Sequence, residues 1–159
     1  RRSAALVSFC NCIVAFSNRF RHDLASQALR VAPTWRVEMA YVEGFLIPVP
    51  AEKKDTYFKM ARDAWPIFRD LGVTRQVECW GDDLMKGEHT DFYRAVAAEE
   101  NENVVFSWME YPDKQTRDKA NQGMMEDERF KKLGEMPFDG KRMIFSGFTT
   151  EFDSADQPG

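Results

Sequence analysis

Three glutamates lie where alternating residues predict β-strands, and each shares a strand face with an aromatic residue. Because side chains of a strand alternate between two faces, the same-face pairs are Glu43 with Tyr41, Glu78 with Trp80, and Glu110 with Trp108. If these faces line one aromatic cavity, desolvation raises the pKa of the carboxyls and makes them candidate general acids or bases. Glu78, Glu43 and Glu110 are therefore the candidate catalytic residues, and Trp80, Trp108 and Tyr41 are candidate ligand-binding walls.

A structural role competes with catalysis for these carboxylates. Strand carboxylates more often form ion pairs, here with Arg75, Arg94 or Arg142, so the sequence does not decide whether the protein is an enzyme. Residues 136–142 (MPFDGKR) predict a turn in which Arg142 either forms a salt bridge or contributes to ligand binding by holding an anion.

Other chemistry is weakly supported. His89 lies among acidic residues, but their spacing matches no metal-binding loop, and a solvated connection is the better interpretation. Cys79 alternates with Trp80 and is expected to face the helices as a small apolar group. A Gly-rich phosphate loop, a paired CxxC motif and a Ser-His-Asp order are all missing from the sequence. We therefore assign no metal ligands and no cofactor, and the sequence leaves dependence on either one open.

Charge is distributed unevenly along the 159 residues. Residues 1–38 carry six arginines against Asp23 and Glu38, whereas the remaining residues carry 16 basic and 24 acidic side chains. An acidic body argues against nucleic acid, since lysine and arginine supply most non-specific affinity for phosphates. No run approaches the roughly 18 apolar residues of a membrane span. Cys79 is the only cysteine after residue 38, which suits a cytoplasmic protein without disulfides.

Three segments follow from these patterns. Residues 1–38 lack a sustained period and read as an extension, either translated upstream of Met39 or a targeting segment. Residues 39–152 form the predicted domain. Residues 153–159 are polar and end in proline and glycine, which predicts a flexible tail.

Periodicity within residues 39–152 predicts four strands and two helices. The predicted strands are 41–49, 73–80, 104–111 and 142–150. Apolar residues at spacings of three and four predict a helix over 52–71, with a kink or break near Trp65 because of Pro66, and a stop at Gly72. Asp113 predicts the N-cap of a second helix reaching about residue 127. Residues 92–98 fit a strand or a short helix, and the following turn favours a hairpin.

The resulting order is the α+β, split βαβ arrangement: a ferredoxin-like βαββαβ unit with an antiparallel sheet. Both helices are expected on one face, yet both faces of the predicted strands are apolar. An apolar face of several hundred Å² is rarely left uncovered on a monomer. A second copy related by a two-fold axis is the simplest cover. We therefore expect a homodimer whose sheets pack together as a dimeric α/β barrel.

Four stretches resemble the YbaA-like family of small bacterial proteins, a domain of unknown function: YVEGFLIPVP (41–50), VECWGDD (77–83), VFSWMEYPD (105–113) and MPFDGKRMIFSGF (136–148). The resemblance covers about residues 39–150. It implies the same dimeric barrel of ferredoxin-like units and no established activity. Some members are linked by name to the signal-recognition-particle RNA, a link that these residues do not support.

Two functions remain open. The first is a homodimer that binds, and in one version converts, a small apolar or aromatic molecule in the barrel cavity. The second is a non-enzymatic binding protein, with RNA as its particular form, because RNA-recognition modules of the same strand order stack bases on strand aromatics.

Overall fold

The structure is a computed structural model that describes residues 40–156. Its elements, in chain order, are β1 (Tyr41–Pro50), a 3-10 turn (Ala51–Lys53), α1 (Lys54–Asp70), β2 (Arg75–Trp80), α2 (Phe92–Ala95), β3 (Glu102–Tyr111), α3 (Lys114–Glu126), α4 (Glu128–Lys132), β4 (Ile144–Thr149) and a 3-10 turn (Ser154–Asp156). The predicted extension over residues 1–38 and the end of the predicted tail, residues 157–159, lie outside the described residues.

The first helix confirms its predicted apolar face but not the predicted break. Its buried residues recur at helical spacing and comprise Tyr57, Ala61, Ala64, Ile67 and Phe68. The helix runs without interruption through Pro66, which lies on its exposed side. The carbonyl that Pro66 cannot bond belongs to exposed Arg62, where water can take the missing donor's place. The chain then turns at Gly72, whose φ of 103° suits glycine.

The hairpin favoured for residues 92–98 is wrong. Phe92–Ala95 forms the short helix α2, whose N-cap Asp91 accepts a hydrogen bond from the Arg94 backbone N–H at 2.8 Å. The chain passes from β2 through a long loop and α2 before it enters β3. An Asx N-cap therefore outweighs the β-branched and aromatic residues of this segment.

The second half confirms the predicted cap and last strand and adds one helix. Asp113 accepts a hydrogen bond from the Thr116 backbone N–H at 2.6 Å and begins α3. Asp127 then caps the additional helix α4. The connection from α4 to β4 includes Gly134, Met136 and Phe138. These three residues line the cavity that is described below.

The four strands form one antiparallel sheet with the order β2-β3-β1-β4. The pairs Tyr41 with Tyr111 and Ile47 with Val105 set the register between the two central strands. These four side chains are buried on the face that carries the helices. The observed class is therefore α+β with an antiparallel sheet.

The opposite face of the sheet is open and apolar. Phe106 on β3 is 48% exposed, and Ile144 and Phe148 on β4 are 44% and 56% exposed. Cys79 is also exposed on this face, so the expectation that it faces the helices is wrong. Alternation correctly opposes it to Trp80, but Trp80 is the residue that packs against the core under the helices. Within residues 40–156, helices long and apolar enough to cross a membrane do not occur.

Candidate functional site

A cavity of about 120 Å³ lies between the sheet and the helices of a single chain. Its floor comes from β1, β2, β3 and Met143, the residue before β4, and its roof comes from α1, α3, α4 and the connection after α4. On this scale a water molecule needs about 10–15 Å³, so the space suits roughly eight to twelve water-sized groups. The cavity is therefore large enough for a small organic molecule.

Most of the cavity wall is apolar and deformable. The methionines that line it are Met60, Met109, Met124, Met136 and Met143. The aromatic residues that line it are Phe45, Tyr57, Phe68, Phe130 and Phe138. Methionine has three rotatable bonds and a polarisable sulfur, so it adapts to ligands of different outline. Such a wall favours apolar and aromatic ligands over a single rigid shape.

One end of the cavity is polar. The Tyr57 hydroxyl donates a hydrogen bond to Glu78 Oε2 at 2.7 Å, and Gln76 Nε2 donates to Glu78 Oε1 at 2.7 Å. Gln76 and Glu78 share a face because they are two residues apart on β2. Burial, followed by the neighbouring Glu78 charge, raises the pKa of the Tyr57 hydroxyl, which stays a neutral donor. Glu78 thus offers a charged contact to a molecule in this cavity.

A second polar cluster surrounds Glu43, which is 2% exposed. Its carboxylate accepts hydrogen bonds from Tyr111 Oη at 3.4 Å, Arg117 Nη1 at 3.4 Å and Asn121 Nδ2 at 3.3 Å. Burial raises the pKa of Glu43 despite the opposing effects of Arg117 and Asn121. A separate space of about 20 Å³ lies beside it, large enough for one water molecule.

Glu43 and Glu78 lie in different places on the helix side of the sheet. Phe45, on β1, lines both the large cavity and the small space beside Glu43. Glu78 lines the large cavity, whereas Glu43 lines only the small one. The two carboxylates therefore do not act as a pair within one cavity.

Glu110 and Trp108 lie on the open face, opposite to Glu43 and Glu78. Trp108 Nε1 donates to Glu110 Oε1 at 3.0 Å, and Arg75 Nη1 lies 3.1 Å from the same oxygen. The expectation that three carboxylates share one face of the sheet is wrong. Alternation assigns the residues of one strand to its two faces. The register between neighbouring strands decides which residues of different strands share a face of the sheet.

The three remaining predicted binding residues lie outside the large cavity's lining. The Tyr41 hydroxyl accepts a hydrogen bond from Arg117 Nη2 at 2.9 Å. Trp80 packs against Phe58, with Lys54 Nζ 5.1 Å from its ring centre. Arg142 donates to Glu102 Oε1 at 2.7 Å. In this structure all three side chains contact other residues of the same chain.

Arg94 holds the acidic loop around His89 in place. Arg94 donates to the carbonyl of His89 at 2.9 Å and to the Asp91 carboxylate at 2.8 Å. Over residues 40–156, His, Cys, Asp and Glu side chains form no group of three suited to holding a metal ion.

Two of the polar groups at these sites were not singled out from the sequence. Gln76 could have been found, because it shares a strand face with Glu78. Arg117 could not, because a lone arginine on a polar helix ordinarily faces solvent, and its partner Glu43 is 74 residues away.

Comparison with known proteins places this fold in a family. A family model described as "Protein of unknown function (DUF1428)" matches residues 40–140. Proteins named "Uncharacterized protein YbaA" from Escherichia coli strain K12, Escherichia coli O157:H7 and Shigella flexneri are each 59% identical over 116 residues, which is 72% of this chain and 99% of the relative. The resemblance seen in the sequence motifs is confirmed. The chain therefore belongs to the DUF1428 family of proteins of unknown function, whose relatives include YbaA.

Proposed function

We propose that this protein binds a small apolar or aromatic molecule in the cavity between the sheet and the helices of each chain. The observation that carries the proposal is the combination of an apolar, methionine-rich wall with one polar end at Glu78. Ligand sites are commonly apolar pockets with a few placed polar groups that orient the bound molecule. The site differs from the sequence-based expectation, because it lies under the helices and not against the open face.

We infer further that the unit is ferredoxin-like and forms a homodimer through the open face of the sheet. The strand order β2-β3-β1-β4 agrees with a split βαβ arrangement. The exposed Phe106, Ile144 and Phe148 support burial against a second copy. Two such sheets packed face to face make the dimeric α/β barrel, and the proposed ligand cavities then lie outside it, one in each protomer.

A cytoplasmic location is part of the same proposal. Cys79 is a free and exposed thiol, which suits a reducing compartment. The Cys79 side chain lies on the face that the proposed dimer covers.

The test is a thermal-shift screen of small metabolites on the wild type and on Ala61→Leu. Ala61 is a buried α1 residue that lines the cavity, so the leucine side chain occupies part of the ligand's space. We expect a set of apolar or aromatic compounds to raise the melting temperature of the wild type and to lose that effect in Ala61→Leu. Ala95→Leu, at an exposed position of α2, is the matched control and should respond like the wild type.

Two results would count against the ligand site. One is the failure of every apolar compound to stabilise the wild type. The other is an equal response of the wild type and Ala61→Leu, provided that circular dichroism shows the variant folded. A bound ligand stabilises by mass action, so saturating concentrations make even weak binding measurable.

A further inference from the structure

Glu78 differs from every other carboxylate in the sheet. The strands carry four glutamates, and three of them contact an arginine: Glu43 with Arg117, Glu102 with Arg142, and Glu110 with Arg75. Within residues 40–156, neither lysine nor arginine lies within ion-pair distance of Glu78. Its charge is offset only by the neutral donors of Tyr57 and Gln76.

The Gln76 amide next to Glu78 adds a further hydrogen-bond acceptor to this end of the cavity. A carboxylate only accepts hydrogen bonds, so the Gln76 amide must turn its NH2 toward Glu78. This orientation makes Gln76 Oε1 the outward atom of the amide, and Oε1 is buried without a hydrogen-bond partner in the described part of the chain. An unsatisfied buried acceptor is costly. A donor brought by a ligand would relieve that cost.

These groups together select the charge of the molecule that fits. A negative carboxylate and an unpaired amide oxygen attract a group rich in N–H donors that carries a positive charge. Aromatic side chains, Tyr57 and Phe138 among them, line the same cavity, and a ring face turned toward a ligand favours a cation. In the described part of the chain no lysine or arginine lines the cavity, so an anionic ligand would meet the Glu78 charge without a cation beside it.

We propose that the cavity binds a small organic cation, a protonated amine on an apolar or aromatic body, with its ammonium group at Glu78 and its body against the methionines. This inference rests on the proposed function, since it assumes that the cavity is a ligand site. It adds the charge class of the ligand, and it assigns Glu78 as the residue that recognises that charge.

The experiment compares three probes of similar size by calorimetry at neutral pH: benzylamine, benzyl alcohol and benzoate. We expect benzylamine to bind about tenfold more tightly than benzyl alcohol, and benzoate to bind more weakly than both. Glu78→Gln keeps a hydrogen-bonding group of the same length but removes the charge. It should abolish the preference for benzylamine while benzyl alcohol still binds.

Two controls isolate the charge. Glu78→Asp keeps the carboxylate and should keep a preference for the amine. Glu52→Gln removes a charge at an exposed position outside the cavity and should behave like the wild type.

The possible failures are distinguishable. If benzyl alcohol binds at least as tightly as benzylamine to the wild type, the cation inference is overturned and the ligand site stands. If none of the three probes binds, both proposals fail for ligands of this size. An amine preference that survives in folded Glu78→Gln would show that another group recognises the charge, which also overturns the inference.

Discussion

Arg117 reaches from α3 to the buried carboxylate of Glu43 on β1, with its Nη1 atom 3.4 Å from Glu43 Oε1. The same guanidinium donates to the Tyr41 hydroxyl at 2.9 Å and lies 4.8 Å from the centre of the Tyr41 ring. One side chain therefore ties a helix to two residues of the central strand β1.

Arg117→Ala should destabilise the protein strongly. The change leaves Glu43 buried without the one ion-pair partner it has among residues 40–156, and breaking a buried pair typically costs about 3–5 kcal/mol. Urea unfolding at neutral pH measures this loss. Lys119→Ala removes a charge from the exposed side of the same helix and should change stability by less than about 0.5 kcal/mol. A loss no larger than that of Lys119→Ala would contradict a stabilising role for Arg117.

Glu43→Gln should change how stability depends on pH. Burial raises the folded-state pKa of Glu43 above its ordinary value of 4.5. At a pH between the ordinary pKa and the raised one, the folded state therefore binds more protons than the unfolded state. The free energy of unfolding of the wild type therefore contains a part that falls as pH rises through this window. Glu43→Gln does not titrate and lacks that part.

The measurement is urea unfolding of both proteins at several pH values from about 4.5 upward, starting at the ordinary glutamate pKa. The stability of Glu43→Gln relative to the wild type should increase with pH. Parallel stability curves for the two proteins would show that the carboxyl titrates as it does in the unfolded chain.

Gly147→Ala, on the neighbouring strand β4, should disturb the contacts among Tyr41, Glu43 and Arg117. Gly147 pairs with Glu43 across β1 and β4. A Cβ atom added there would lie 2.7 Å from Tyr41 Cε1, and Arg117 holds the Tyr41 side chain in place. Overpacking of this kind costs about 1–3 kcal/mol. Gly140→Ala is the control, because its Cβ would meet Met136 Cε at an ordinary 3.5 Å. Equal melting temperatures for the two variants would refute this account.

Local patterns predicted the elements well but did not predict which faces meet. Alternation and helical spacing depend on nearby residues, so β1, α1 and the Asp113 cap follow from the sequence alone. The placement of Glu110 opposite to Glu78 depends on the strand register, which is set by contacts between distant segments. Helix α4 was missed, because its five residues are too short to show a period.

The open face also bears on RNA binding. Phe106 and Trp108 lie on it with ring centres 5.4 Å apart, and exposed aromatics on a central strand can stack bases. The neighbouring charge does not favour phosphate, since Arg75 is paired with Glu110. We therefore expect residues 39–159 to retain no RNA on a filter at physiological salt. Retention that weakens steeply with added salt and is lost in Trp108→Ala would favour the RNA-binding alternative.

Phe148→Glu should separate the proposed homodimer into single chains. Phe148 is 56% exposed on β4, and its ring lies over Gly44 on the same open face. In a two-fold interface one substitution acts on both copies, and it places two carboxylates in an apolar contact where they lose hydration without gaining a partner.

Met85→Glu, at a loop methionine that is 78% exposed, introduces the same charge elsewhere. Sedimentation at micromolar concentration should give a dimer for the wild type and Met85→Glu, and a folded monomer for Phe148→Glu. A wild type that sediments as a monomer would mean that the apolar face is left uncovered, and it would rule out the dimeric barrel. The proposed ligand cavity would still stand, because it lies within one chain.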